Sequence, residues 1–179
     1  SSVSWNPDVN TNPPYQYVYD QGGDLYTADL FGGNAQPLAG ADTSMWLEAM
    51  PTWGPNGKIV FARGTQGGTT QGGAFGFQGQ ADLMEISETG GTPVAIIGAS
   101  GTGAAHYYPF FSPNGRWIAF TQSNSAMSTI AAADATVKMV RADNTGNVMD
   151  LSNLNSAPGD GASSYTTWSV DGRFLSFSS

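Results

Sequence analysis

Apolar and polar residues alternate along this chain in short runs, and similar runs return at nearly regular intervals. Residues 58–63, 117–122 and 174–178 each carry β-branched and aromatic side chains in the pattern expected of a strand. Each run follows an aromatic residue and a tight polar turn. The copies read Trp53-Gly54-Pro55-Asn56-Gly57-Lys58, Phe111-Ser112-Pro113-Asn114-Gly115-Arg116 and Trp168-Ser169-Val170-Asp171-Gly172-Arg173. An abbreviated copy, Trp5-Asn6-Pro7-Asp8, stands near the start. The anchor aromatics Trp5, Trp53, Phe111 and Trp168 are 48, 58 and 57 residues apart. A period of about 50 residues with strand-like text in every copy predicts a blade-by-blade β architecture.

Gly57, Gly115 and Gly172 supply the positive φ that a tight hairpin needs, and the preceding Asn or Asp bonds its own backbone. A third strand is legible at 24–28, 82–86 and 137–140, each followed by a polar, Gly-containing turn. A short fourth strand is expected at 35–38, 93–97 and 147–151. In the first copy, residues 9–14 lengthen the turn before a strand at 15–19. The predicted fold is all-β, with four antiparallel strands per unit. The units fall at about 1–40, 49–98 and 107–152, with half a unit at about 164–179.

These residues resemble the TolB-type β-propeller repeat, in which an aromatic is followed by Ser-Pro-Asp-Gly, a cation and a strand ending in Ala-Phe. The copy at 111–120 matches best; Gly54 replaces the Ser in the second copy and Val170 replaces the Pro in the fourth. The resemblance covers nearly the whole chain and implies a β-propeller segment of about three and a half blades. It implies no single function, because the family includes envelope scaffolds, sugar-related enzymes and non-catalytic domains of peptidases. A closed ring of six or seven such blades would need on the order of 300 residues, against 179 here. The expectation is therefore a part of a larger object: a fragment, a cleaved subunit, or a piece completed by a protein partner or by the rest of the same propeller.

Charge is sparse and acidic, with 14 Asp and Glu against 6 Lys and Arg, a net charge of −8. Lys58, Arg116 and Arg173 share one turn position, so they belong to the repeat and form no basic patch. This argues against nucleic-acid binding. With no Cys, disulfides and thiolate metal sites are excluded. No apolar run approaches the 18 or so residues of a membrane-spanning helix. Ser1 opens directly into a repeat, so any export leader would already have been removed. Abundant Gly, Asn, Ser and Thr with only two Lys suits an exported β protein, and the resemblance implies a periplasmic or extracellular place.

Loop lengths are unequal on the two faces of such a fold. The turns joining strands one to two and three to four are tight, apart from 9–14. Residues 40–49, 64–81, 98–107, 123–135 and 152–164 form long connections on the other face, where a rigid scaffold usually carries its binding residues. Trp46, Phe75, Phe77 and His106 are the binding candidates on that face. Phe75 and Phe77 lie in the Gly-rich stretch 64–79, which lacks the Lys-Ser/Thr ending of a phosphate loop. They read either as rings packed on a neighbour or as partner contacts. His106 is the only histidine and reads as a hydrogen-bonded loop residue more readily than as a base or ligand. Residues 98–103 only superficially resemble a nucleophile elbow, since Thr102 stands where its second Gly belongs. Asp20 and Asp24 bracket a Gly-Gly turn and could cap it or bind a hard cation. No catalytic set, metal site or cofactor site is predicted. The leading expectation is a non-catalytic scaffold or protein-binding segment of a bacterial envelope or extracellular protein. The alternatives are the substrate-access domain of a larger enzyme such as a serine peptidase, and an enzyme whose site lines the channel.

Overall fold

The computed structural model describes residues 2–10, 15–65, 77, 79–96, 98–124, 132–145, 147–151 and 163–178. Strands β1 (Val3–Trp5), β2 (Tyr17–Gln21), β3 (Asp24–Ala28) and β4 (Gln36–Pro37) form one antiparallel sheet in chain order. The set β5 (Trp46–Trp53), β6 (Lys58–Thr65), β7 (Ala81–Ser87) and β8 (Val94–Ala95) repeats that order. So does the set β9 (Ala105–Phe111), β10 (Trp117–Ser123), β11 (Thr136–Arg141) and β12 (Met149–Asp150). A single parallel pairing, Ala81 with Ala105, joins these two sets into one eight-stranded sheet. A hairpin of β13 (Ser164–Trp168) and β14 (Leu175–Ser178) follows. The chain is all-β, as its hydrophobic pattern predicts, and among the described residues no helix is long and apolar enough to cross a membrane.

The outermost strand of each set is shorter than expected: Gln36–Pro37, Val94–Ala95 and Met149–Asp150 hold two residues each, all exposed. An edge strand with no buried side chain gains little from extending, and Pro37 offers no N–H to a ladder.

The turn sequences are used as their chemistry suggests. Gly57, Gly115 and Gly172 adopt φ of 70°, 66° and 69°. The Ser112 hydroxyl donates to Asn114 Oδ1 (2.8 Å) and accepts from the Trp117 amide (2.9 Å), while the Arg116 amide donates to the same Oδ1 (3.0 Å). Ser169, Asp171, Arg173 and Phe174 reproduce this network bond for bond. In the second unit Gly54 replaces the serine for a packing reason. A Cβ there would lie 2.7 Å from the ring of Phe111, which comes from the next unit.

Two apolar layers separate the units. Val18, Leu25 and Leu38 pack on Trp53, Ile59, Phe61 and Ile86 at the first boundary. At the second, Val60, Ala62 and Leu83 pack on Phe111, Ile118, Phe120 and Val140. Trp53 and Phe111 are buried, as anchors of a repeating stack should be, whereas Trp168 is half-buried and Trp5 is exposed. The third boundary is polar instead, with Thr121, Ser123, Ser163, Ser164 and Thr166 buried there.

Candidate functional site

Each of the inner strands β5, β9 and β13 contains the same defect at the same place. Ala49 pairs with Ala62 and Thr52 with Val60, so Met50 and Pro51 together face Phe61. Tyr107 pairs with Thr121 and Phe110 with Ala119, so Tyr108 and Pro109 face Phe120. Ser164 pairs with Ser178 and Thr167 with Ser176, so Tyr165 and Thr166 face Phe177. These are two-against-one β-bulges, and the first residue of each pair is left-handed: Met50 at φ 57°, Tyr108 at 51° and Tyr165 at 62°. A bulky side chain in that region carries strain of about 1–3 kcal/mol, which persists only where the surroundings impose it. Proline suits the second position in two of the bulges, since no ladder donor is lost there.

The bulges line one cleft of about 230 Å3. Its walls are Ser2 and Val3 beside β1, Met50 and Pro51 of β5, Tyr108, Pro109 and Phe110 of β9, and Tyr165 of β13. The Tyr108 and Tyr165 rings pack together with centroids 4.4 Å apart. Burial, and secondarily the neighbouring Tyr165, push the Tyr108 hydroxyl up to about 12, so it is protonated at any physiological pH. Neither hydroxyl has a hydrogen-bond partner among the described residues, and no wall residue is charged. Four successive inner strands thus contribute aromatic, thioether, proline and hydroxyl-bearing residues to one space.

The residues expected from the sequence lie elsewhere. His106 is fully buried, with Nδ1 3.0 Å from the Ala81 carbonyl, Nε2 3.3 Å from Thr102 Oγ1 and its ring edge-on to Phe120. Burial holds its pKa below the usual histidine value, so the ring is a neutral strut between β9 and β7 rather than an exposed contact. Phe77 is also buried and its ring abuts Gly64, leaving no room for a Cβ; it is a core residue. Phe75 lies outside the described residues. Ser100 donates to the Leu83 carbonyl at 2.8 Å. The buried Asp20 carboxylate accepts from the Ser2 amide, which gives it a structural task.

Trp46 is half-buried and flanks a buried ion pair. The Arg63 guanidinium lies 5.9 Å from the Trp46 ring centroid and 5.4 Å from that of Phe61, and donates to the Gly40 carbonyl at 2.9 Å. It also reaches Glu48 Oε1 at 3.0 and 3.1 Å. Glu48 is fully buried, and its Oε2 has no hydrogen-bond partner. Burial raises its pKa to about 7 against the opposing pull of Arg63. Sequence reasoning missed Glu48 and all three bulge residues. The available signal was positional: Met50, Tyr108 and Tyr165 each stand three places before an anchor aromatic.

A second cleft, of about 540 Å3, opens on the turn side between Asn56 and the Arg116–Trp117 corner. Its Arg141 is neutralised by Asp143 at 2.6 Å and lies over the Trp117 ring, so its charge is largely spent internally.

No family model matches the chain, and no curated protein matches its sequence. Solved structures do match its fold. TolB from Acinetobacter baumannii superposes with a TM-score of 0.63 at 17% identity, over 99% of this chain and 37% of that one. An oligogalacturonate lyase from Vibrio parahaemolyticus gives 0.59 at 15% identity, over 90% of this chain and 43% of that one. A puromycin hydrolase gives 0.58 at 14% identity, over 96% of this chain and 26% of that one. The fold is that of a TolB-like β-propeller, and the chain spans well under half the length of each of these structures.

Proposed function

We propose that this chain is a non-catalytic, protein-binding propeller segment of a bacterial cell-envelope or extracellular protein. The cleft at the three inner-strand bulges carries this reading. It collects strained, ring-bearing residues from successive units at one place, and strain of that kind is characteristic of binding and clamp positions. Tyr and Met are favoured contact residues at protein interfaces, and the lining of the cleft holds no His, Lys or carboxylate that could activate its hydroxyls. The likeness to TolB supports the envelope location. A displayed library of short peptides, selected on the purified chain and counter-selected on Tyr165→Ala, tests it. Recovery of peptides that need Tyr165 is expected, and a library that yields none would refute the proposal.

The second reading is a substrate-access domain of a larger enzyme, favoured by the fold shared with the puromycin hydrolase. On either reading this chain turns over neither puromycin nor peptide esters. Turnover that disappears in Ser100→Ala or His106→Ala would place a catalytic centre in the chain and overturn both readings.

A further inference from the structure

Resting on the protein-binding reading, we infer that the occupant of the bulge cleft is a proline-rich segment in the extended polyproline conformation. Three properties of the walls select it. First, Pro51 and Pro109 lack the N–H that an added β-strand would need, so strand addition has no continuous ladder to join. Second, the wall side chains able to donate are the hydroxyls of Ser2, Tyr108 and Tyr165, and the two tyrosine hydroxyls have no hydrogen-bond partner among the described residues. A ligand rich in carbonyls and poor in N–H groups matches them, and a polyproline helix has free carbonyls all along its length. Third, the walls are uncharged and ring-lined. Charged residues would be desolvated there without a counter-charge, and a sugar would find few groups able to pair its hydroxyls. Proline rings lie flat on the tilted Tyr108–Tyr165 pair, and a pre-extended segment gives up little conformational entropy on docking.

The test is titration of the purified chain with a short peptide of prolines and leucines, alongside an analogue in which alanine replaces each proline. Saturable binding of the proline peptide, at least about tenfold tighter than the alanine analogue, is expected. Tyr165→Ala removes one ring of the pair at a position that is 51% exposed, so its fold should survive, and it should abolish most of this binding. Tyr108→Phe keeps the ring but deletes a donor, and should weaken binding several-fold. Equal affinity for the two peptides, or affinity unchanged in both variants, overturns the inference. If the peptide library instead yields proline-free ligands that still require Tyr165, the protein-binding reading stands and the proline inference falls. If nothing requires Tyr165, both fall.

Discussion

The Thr52 hydroxyl accepts a hydrogen bond from the backbone N–H of Phe111, 3.4 Å away across the boundary between two units. The Ser4 hydroxyl does the same for the Trp53 amide one boundary earlier, at 2.9 Å. In both, a hydroxyl one place before an anchor aromatic satisfies the amide of the next anchor. At the third boundary Phe110 holds that place and has no hydroxyl; Trp168 Nε1 donates to its carbonyl instead, at 3.3 Å. The interval between anchors in the sequence is therefore the interval of an inter-unit hydrogen bond.

Thr52→Val keeps the side chain's shape and leaves the Phe111 amide buried without an acceptor. Unfolding free energy from urea titration should fall by about 1–3 kcal/mol, the cost of one unsatisfied buried donor. Ser4→Ala should show a smaller loss at its less buried boundary. An unchanged midpoint in Thr52→Val would mean that the bond contributes nothing to stacking.

Truncation of the anchors should follow their burial. Trp53→Ala and Phe111→Ala each remove a ring that is no more than 5% exposed and should cost about 3–5 kcal/mol. For Trp53 part of the loss is the bond from Nε1 to Glu88 Oε2 at 3.0 Å. Trp168→Ala, at a half-buried ring, should cost clearly less in the same urea titration.

Gly54→Ala should destabilise the chain although serine occupies the matching place in the third unit. The added Cβ would stand 2.7 Å from the Phe111 ring. Pairing it with Phe111→Leu should recover part of the loss, so that the two changes are non-additive by at least about 0.5 kcal/mol in a double-mutant cycle. Strict additivity would show that the ring and the glycine do not constrain one another.

Glu48 should make stability depend on pH in the direction opposite to a carboxylate whose pKa is lowered by folding. Its folded pKa is raised from 4.5 to about 7, so the folded state holds the proton more tightly than the unfolded chain. Its stabilising contribution is full below about pH 4.5 and is lost as pH rises through about 7. The groups facing it are Arg63, Thr43 and Asp24. His106, with a lowered pKa, acts in the opposite sense as pH falls below the usual histidine range. Glu48→Gln removes only the first effect. Relative to the parent, its thermal midpoint should therefore rise as pH goes from 4.5 to 8, and an identical pH profile would refute the assignment.

Thr166 occupies the bulge place held elsewhere by Pro51 and Pro109, and its buried hydroxyl has no hydrogen-bond partner among the described residues. Thr166→Val should raise stability by about 1 kcal/mol by removing an unsatisfied donor from an interior position. A loss of stability on thermal unfolding would indicate that the hydroxyl is satisfied in solution.

By itself the sequence determined what short-range chemistry controls. Gly57, Gly115 and Gly172 form the turns they spell, because positive φ and an Asn or Asp before it are local requirements. The inner strand pairs, the burial of Trp53 and Phe111 and the propeller-type stacking follow from alternation repeated at a constant period. Only the tertiary structure decided where the cleft lies. Nothing local prefers a left-handed Met50, Tyr108 or Tyr165. That conformation arises because two residues of an inner strand must span one phenylalanine of its neighbour, and the surrounding packing holds the strain. The interior places of His106, Phe77 and Glu48 were hidden for the same reason. Each is set by residues distant in the chain: Ala81 for His106, Gly64 for Phe77, and Arg63 for Glu48. The contact of His106 forms between two units and the other two form within the second, and no hydrophobic period records any of them.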